Sequence, residues 1–338
     1  LNAVEIEQAT PGRRMSSETI TSAALLLDGS GHAVRLTADA IEAWRPEDGL
    51  LWLHLNYEQP TSRDGLEAQT GLNEVVIDAL LASDTRPRVI TIRDGLLITL
   101  RGVNLNPGAL PEDMVSIRIW VDRHRIITTS RRELQSINAL AAALTTGIGP
   151  TSAAAFLVTL ISHLVSRLSD LIDELEEQTA TLEEQLLSAD STRLRNDLAS
   201  LRRQAITLRR YLAPQREALT QLIIERLSWL DNGNLLRLKE VTDQLIRHIE
   251  DLDAVRERAA ITQDELHSHL SDQLNSRMYL LSMVAATFLP LGFLTGLLGT
   301  NIGGIPGADN PQAFFIFLLI LLLVLLLQLL LFRWKRWF

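Results

Sequence analysis

The chain has 338 residues, a formal net charge of −9 and no cysteine. Disulfide cross-links and thiolate metal sites are therefore excluded, and an acidic chain is a poor partner for nucleic acid, whose phosphates it would repel. The charge is unevenly spread, because the acidic excess lies wholly before Met278 and the remainder is mostly apolar.

Residues 1–21 are polar and aperiodic and read as a loose N-terminal leader without the apolar stretch of a secretory signal. An α/β domain is expected over 22–150. Ala23–Leu27 and Ala33–Leu36 flank Asp28-Gly29-Ser30-Gly31 as a hairpin, and Leu51–Leu55, Val89–Ile92, Leu96–Arg101, Val115–Val121 and Arg125–Thr129 read as further strands. Ala38–Trp44, Leu66–Leu81 and Arg131–Leu144 have helical apolar spacing, and Asn73 is a plausible cap for Glu74–Leu81.

From Thr151 the strand pattern stops. Leucines at three- and four-residue steps from Leu157 to Leu186 mark a long amphipathic helix. Ser188-Ala189-Asp190-Ser191 reads as a turn, and a basic helix returns from Arg193 toward Leu230, with Pro214 expected to kink it or start a new segment. The first helix is acidic (Asp173, Glu174, Glu176, Glu177, Glu183, Glu184), so mutual ion pairing within a hairpin over 151–233 is the simplest reading of both charge runs, with cation binding the alternative.

After the break at Asp231-Asn232-Gly233-Asn234, nothing interrupts a helix from Leu235 to Thr300, and at about 1.5 Å per residue it is roughly 100 Å long. Segment 234–300 is thus expected to be a stalk that continues into a membrane span. Neither 278–298 nor 313–332 contains a charged residue, and Gln328 is the one strongly polar side chain of the second run. Each run can cross the hydrocarbon core, which takes about 20 apolar helical residues. The loop 301–312 has no Lys or Arg, whereas Arg277 precedes the first span and Arg333, Lys335 and Arg336 lie in the tail 333–338 with Trp334 and Trp337. That distribution places both termini in the cytoplasm and the basic, aromatic tail at the lipid headgroups.

Two helices enclose no channel, so a pore would need several copies around an axis. Ser282, Ala285, Leu289, Gly292, Gly296 and Gly299 follow one another at helical spacing and form a mostly small stripe. Small residues also let helices approach closely in membranes, and contact is the slightly favoured reading of the stripe. Pro290 removes the donor that would meet the carbonyl of Ala286, which favours a wet path on that face.

The stretch Thr287-Phe288-Leu289-Pro290-Leu291-Gly292-Phe293-Leu294-Thr295-Gly296-Leu297-Leu298-Gly299-Thr300-Asn301 resembles the end of the first span in CorA-type divalent metal ion transporters. Ile302-Gly303-Gly304-Ile305-Pro306-Gly307, the short loop and the basic-aromatic tail are similar to the zinc-transporter (ZntB-like) branch. Thr300 stands where the family usually has Met. The resemblance implies an α+β fold: a cytoplasmic α/β domain, a long helical hairpin and a stalk helix continuing into the first of two C-terminal spans, assembled as a homopentameric funnel in the bacterial inner membrane. It further implies an outer ring of Asn301, pore positions at Gly296, Gly292, Leu289, Asn275 and Asp264, and an inner constriction near Met278 and Leu281 or Ser282, with Leu289 as a hydrophobic girdle. In the family an acidic ring at the position of Asp264 senses cytoplasmic metal, and Glu240 lies near a second acidic position.

A neutral carboxamide such as that of Asn301 attracts a cation or its hydration shell without trapping it. His267 and His269 point about 200° apart on a helix and cannot bind one ion within one subunit, whereas Glu265, His269 and Asp272 share a face. The lining from Met278 to Asn301 has no His, Cys, Asp or Glu, so the ion is expected to cross hydrated, and any proton coupling would use Asp309, Asp264 or the stalk histidines. The expected function is divalent cation transport, zinc first, with the metal as transported ligand and no cofactor. A magnesium, cobalt or nickel channel of the same family and a non-transporting membrane scaffold are the alternatives. Expected partners are further copies of the chain, divalent cations and membrane lipid, not nucleic acid. An enzyme is not expected, since no glycine-rich phosphate loop, nucleophile elbow or zincin histidine pair is present.

Overall fold

The computed structural model describes residues 21–58, 62–83, 86–187, 191–225, 227–299 and 310–335. Two compact units divide the chain, one ending at Thr262 and one beginning at Gln263. The expected leader, apart from Thr21, and the turn at Ser188–Asp190 lie outside the described residues.

In the first unit, β1 (Thr21–Leu27), β2 (Ala33–Arg35), β3 (Leu50–Asn56), β4 (Arg88–Ile92), β5 (Gly95–Gly102), β6 (Val115–Val121) and β7 (Arg125–Ser130) form one mixed sheet in the order β2-β1-β3-β7-β6-β5-β4. Among the described residues only β3 and β7 pair in parallel. Thr21, expected in the leader, is already in β1 and pairs with Leu55. At the hairpin, the Asp28 carboxylate accepts from the backbone N–H of Ser30 at 2.8 Å. Gly31 has φ +100°, and a Cβ there would lie 2.8 Å from the Gly149 carbonyl, so this turn position requires glycine.

Both faces of β3 are covered, which is why its sequence is a continuous apolar run. Leu51, Leu53 and Leu55 join a core with Val76, Ile77 and Leu80. On the other face Trp52 meets Phe156 edge-on at 4.8 Å between ring centroids.

The helices of this layer are α1 (Ala38–Ala43), α2 (Ser62–Thr70), α3 (Glu74–Leu81) and α4 (Gln135–Thr145). The apolar pattern from Leu66 to Leu81 is thus two helices, broken at Gly71 with φ +58° and restarted at Asn73, whose side chain accepts from Val75 N–H. The last helix begins at Gln135, not Arg131. Residues before it are held otherwise, with Arg131 paired to Glu58 and Leu134 in an extended conformation at the cap.

Three long helices follow: α5 (Ala153–Glu184), α6 (Ser191–Ile224) and α7 (Asn232–Leu298). By length and composition α5 could also cross a membrane, but half of its most apolar window is buried within the protein. Phe156, Leu160, Leu164 and Leu168 are at most 1% exposed.

α6 runs through Pro214, so of the two expectations there, a kink or a new segment, the new segment does not form. Packing holds the turns on both sides of the proline, with Leu208, Leu212, Leu219 and Leu222 fully buried. Gln215 accepts from the backbone N–H of Arg101 at 2.7 Å, beyond the last β4–β5 pair at Arg88 and Thr99.

α7 starts at Asn232, three residues before the expected Leu235, because Asp231 caps it by accepting from Asn234 N–H at 2.9 Å. That hydrogen bond also holds the Asp231 carboxyl below the usual range.

The expected cross-pairing of α5 with α6 is corrected. Among the described residues, the acidic end of α5 is bound by α7: Arg258 grips Glu183 through Nε and Nη2 at 2.9 and 2.5 Å. α6 likewise turns to α7, with Arg209 and Asp253 2.7 Å apart. Glu174 and Glu177 instead line a groove of about 500 Å³ together with Asp197 of α6, a like-charged neighbour. Gln244 of α7 donates to Ser169 at 3.4 Å, and the same 75-residue offset joins Ser169 to Gln244 and Glu183 to Arg258. The two helices therefore run parallel in a fixed register.

Candidate functional site

The second unit holds the end of α7 and α8 (Ala313–Trp334). Neither apolar window is buried within the chain.

Along α7 the less exposed positions are Met283, Thr287, Pro290, Leu291 and Leu294, and on α8 they include Phe317, Leu321, Val324, Leu325 and Gln328. These repeats mark the seam between the two helices. Ser282, Ala285, Leu289, Gly292, Gly296 and Gly299 are all exposed. The small residues thus do not serve packing of α8 in this chain, and the stripe is open to contact with other copies or to ions.

A Cβ placed at Gly292 or Gly296 would meet nothing within 4 Å, so neither glycine is demanded by packing within the chain. Gly299 differs: a Cβ there would lie 2.5 Å from the Thr295 carbonyl, while its N–H closes the helix on that same oxygen at 2.9 Å. This steric need accounts for glycine where the helix ends. Thr300, Asn301 and Asp309, expected at the outer mouth, lie outside the described residues.

The carbonyl of Ala286 is not left to water. Gln328, the lone strongly polar side chain of its span, donates to it from Nε2 at 3.3 Å. Ala286 therefore needs no wet path beside it, because the neighbouring helix supplies the donor. Sequence spacing could not pair the two, since 42 residues separate them.

At the start of the first apolar run Met278 is 65% exposed, and Asn275, one turn earlier in α7, is exposed too. Asp264 and Glu240 are exposed as well, and so are Glu265, His269 and Asp272. Among the described residues no three His, Asp or Glu side chains of one chain lie together as a metal site would require.

The remaining histidines of interest are structural. His54 Nδ1 lies 2.9 Å from Thr128 Oγ1, which also receives Trp52 Nε1 at 3.0 Å and donates to the Leu53 carbonyl at 3.2 Å. With the hydroxyl proton committed to Leu53, the Nδ1 of His54 is the donor. Burial pushes the imidazole down to about 4, so it is neutral at physiological pH. His248 is also held below its ordinary value by burial, with Nε2 3.3 Å from Ser169 Oγ.

The family model described as CorA-like Mg2+ transporter protein matches residues 47–336. The zinc transport protein ZntB of Yersinia pseudotuberculosis is 37% identical over 294 residues, covering 87% of this chain and 88% of that relative. The divalent cation transporter CmaX of Pseudomonas aeruginosa is 39% identical over 311 residues, covering 91% and 93%. A solved structure of full-length CmaX aligns with a TM-score of 0.83 and 37% identity, across 96% of this chain and all of that one.

Proposed function

Because the chain belongs to the CorA-like family of metal ion transporters, we propose that it carries divalent cations, zinc above all, through a central path lined by α7 in a homopentamer. The observation that carries this reading is the stripe from Ser282 to Gly296, which α8 leaves uncovered. In a ring of five such helices the stripe would face the axis, with the Leu289 side chains as girdle and Gly292 and Gly296 leaving room for a hydrated ion. Asn301 would form the outer ring, preceded by Thr300 and Gly299, and Met278 and Ser282 the inner constriction, with Asn275 below it. Asp264 would supply the cytoplasmic acidic ring, and Glu240, His269 and Asp309 would be secondary cation contacts.

Membrane placement follows from the same residues: 278–298 and 313–332 span the bacterial inner membrane, 301–312 is the periplasmic loop, and the domain 22–150, the hairpin 151–233 and the tail 333–338 are cytoplasmic. Protein reconstituted in liposomes should admit zinc, and Asn301→Arg should abolish that flux. Equal flux through the variant would sink the assignment of the outer ring.

A second reading is magnesium as cargo, favoured by the description of the matching family model. An uncharged lining selects weakly among hydrated ions, so competition of magnesium, cobalt and nickel with zinc in the same liposomes decides between the readings.

A further inference from the structure

We infer that Gln328 is a positioning residue for the ion path: its carboxamide replaces the hydrogen bond that Pro290 denies to Ala286, and thereby fixes the orientation of Leu289 and Gly292. The inference rests on the reading of α7 as the lining helix.

Proline at position 290 cannot donate, and its ring displaces the carbonyl four residues earlier, so Ala286 is the acceptor left over. In hydrocarbon no water is at hand to take its place. Gln328 Nε2 reaches that oxygen at 3.3 Å. The other end of the carboxamide, Oε1, is buried with no partner among the described residues, so its hydrogen bonding to α7 runs through Ala286 alone. A lone amide in an otherwise apolar span costs free energy that general packing would not offset. Its placement opposite the proline gap gives the cost a reason.

The gap lies where it can matter. Leu289 is 72% exposed and Gly292 is open, and both belong to the stripe. Around them the helix already carries off-ladder hydrogen bonds: Thr287 Oγ1 donates to Met283 O at 2.9 Å and Thr295 Oγ1 to Gly292 O at 3.0 Å. Such back-bonding slightly destabilises and bends helices, so an external donor at Ala286 adds a constraint on the geometry of this segment of α7.

A double-mutant cycle tests the inference. Wild type, Gln328→Leu, Pro290→Ala and the double variant are reconstituted in liposomes, and initial zinc influx is followed with an encapsulated zinc dye. Gln328→Leu should lower the flux by about threefold or more when Pro290 is present, in line with interhelical hydrogen bonds in membranes. With Pro290→Ala the helix recovers its own donor, and Gln328→Leu should then change little. The same loss in both backgrounds, or an unchanged or increased flux with Pro290 present, would overturn the inference. Silent wild type would overturn the transport reading itself, and this inference with it. If Pro290→Ala conducts nothing, melting temperatures of the four proteins in one detergent decide: a loss on Gln328→Leu confined to the Pro290 background supports the latch, and additive losses overturn it.

Discussion

Among the described residues, the chain up to Thr262 hides most of its apolar side chains within itself, and from Gln263 onward it shows most of them. Trp52 and Phe156 are fully buried, whereas Leu289, Phe293 and Phe315 are between 64% and 72% exposed. The first unit places its hydrophobic residues in a sheet whose inner strands are covered on both faces and in helices joined by ion pairs. The second has a single side-chain hydrogen bond between its helices among the described residues, Gln328 to Ala286. Apolar surface of this extent is stable only in lipid or against other copies. The two regions therefore have different solvents, and a substitution should be read out differently in each.

The strongest test of that contrast is Trp52→Ala, which removes a fully buried indole, its contact with Phe156 and its hydrogen bond to Thr128. Stability should fall by about 3–5 kcal/mol, seen as a lower urea midpoint by circular dichroism in detergent, whatever the lipid. Next comes pH. His54 is neutral in the folded protein down to about pH 4, while the unfolded chain protonates near 6.5. The stability it contributes is present above about pH 6.5 and is lost as pH falls toward 4, by up to roughly 3 kcal/mol. Urea midpoints at pH 7 and pH 5 should show this slope, and His54→Asn should flatten it.

A smaller effect is expected from the Arg258 and Glu183 pair, whose side chains are 42% and 34% exposed. A cycle of Arg258→Ala and Glu183→Ala should give a coupling of about 0.2–1 kcal/mol that shrinks in high salt. The least effect on stability belongs to Gly292→Ala, below about 0.5 kcal/mol by thermal melting, because the new methyl meets nothing in the chain. Zinc flux should nevertheless change if the proposed pentamer holds, since five methyl groups would then narrow the proposed path. Loss of stability without change in flux would erase the distinction drawn between the two regions.

The sheet was legible because its signals are local. Val115–Val121 sets β-branched and aromatic residues around Ser116 and Arg118 at strand spacing, Asp28-Gly29-Ser30-Gly31 carries turn chemistry, and Asn73 has the side chain a helix cap needs. The misreadings arose where distant residues override local preference. Pro214 does not stop α6, because buried leucines on both sides and the Gln215 bond to Arg101 hold the helix together. The charges of α5 and α6 resembled partners by sign alone, yet Arg258 of α7 takes Glu183. At the candidate path, the small stripe was readable from spacing, but its use was not, since the seam with α8 depends on rotation about the helix axis. The outer motif at Thr300 and Asn301 rests on family resemblance.

The shared offset between α5 and α7 sets a rule for motion in the first unit. Ser169 with Gln244 and Glu183 with Arg258 keep the same stagger about four helical turns apart. A small axial displacement of this part of α7 spoils both attachments at once, and equivalent side-chain spacing returns only after about 5.4 Å. The two attachments together pin the stagger of this helix pair, so a slip at one end is felt at the other.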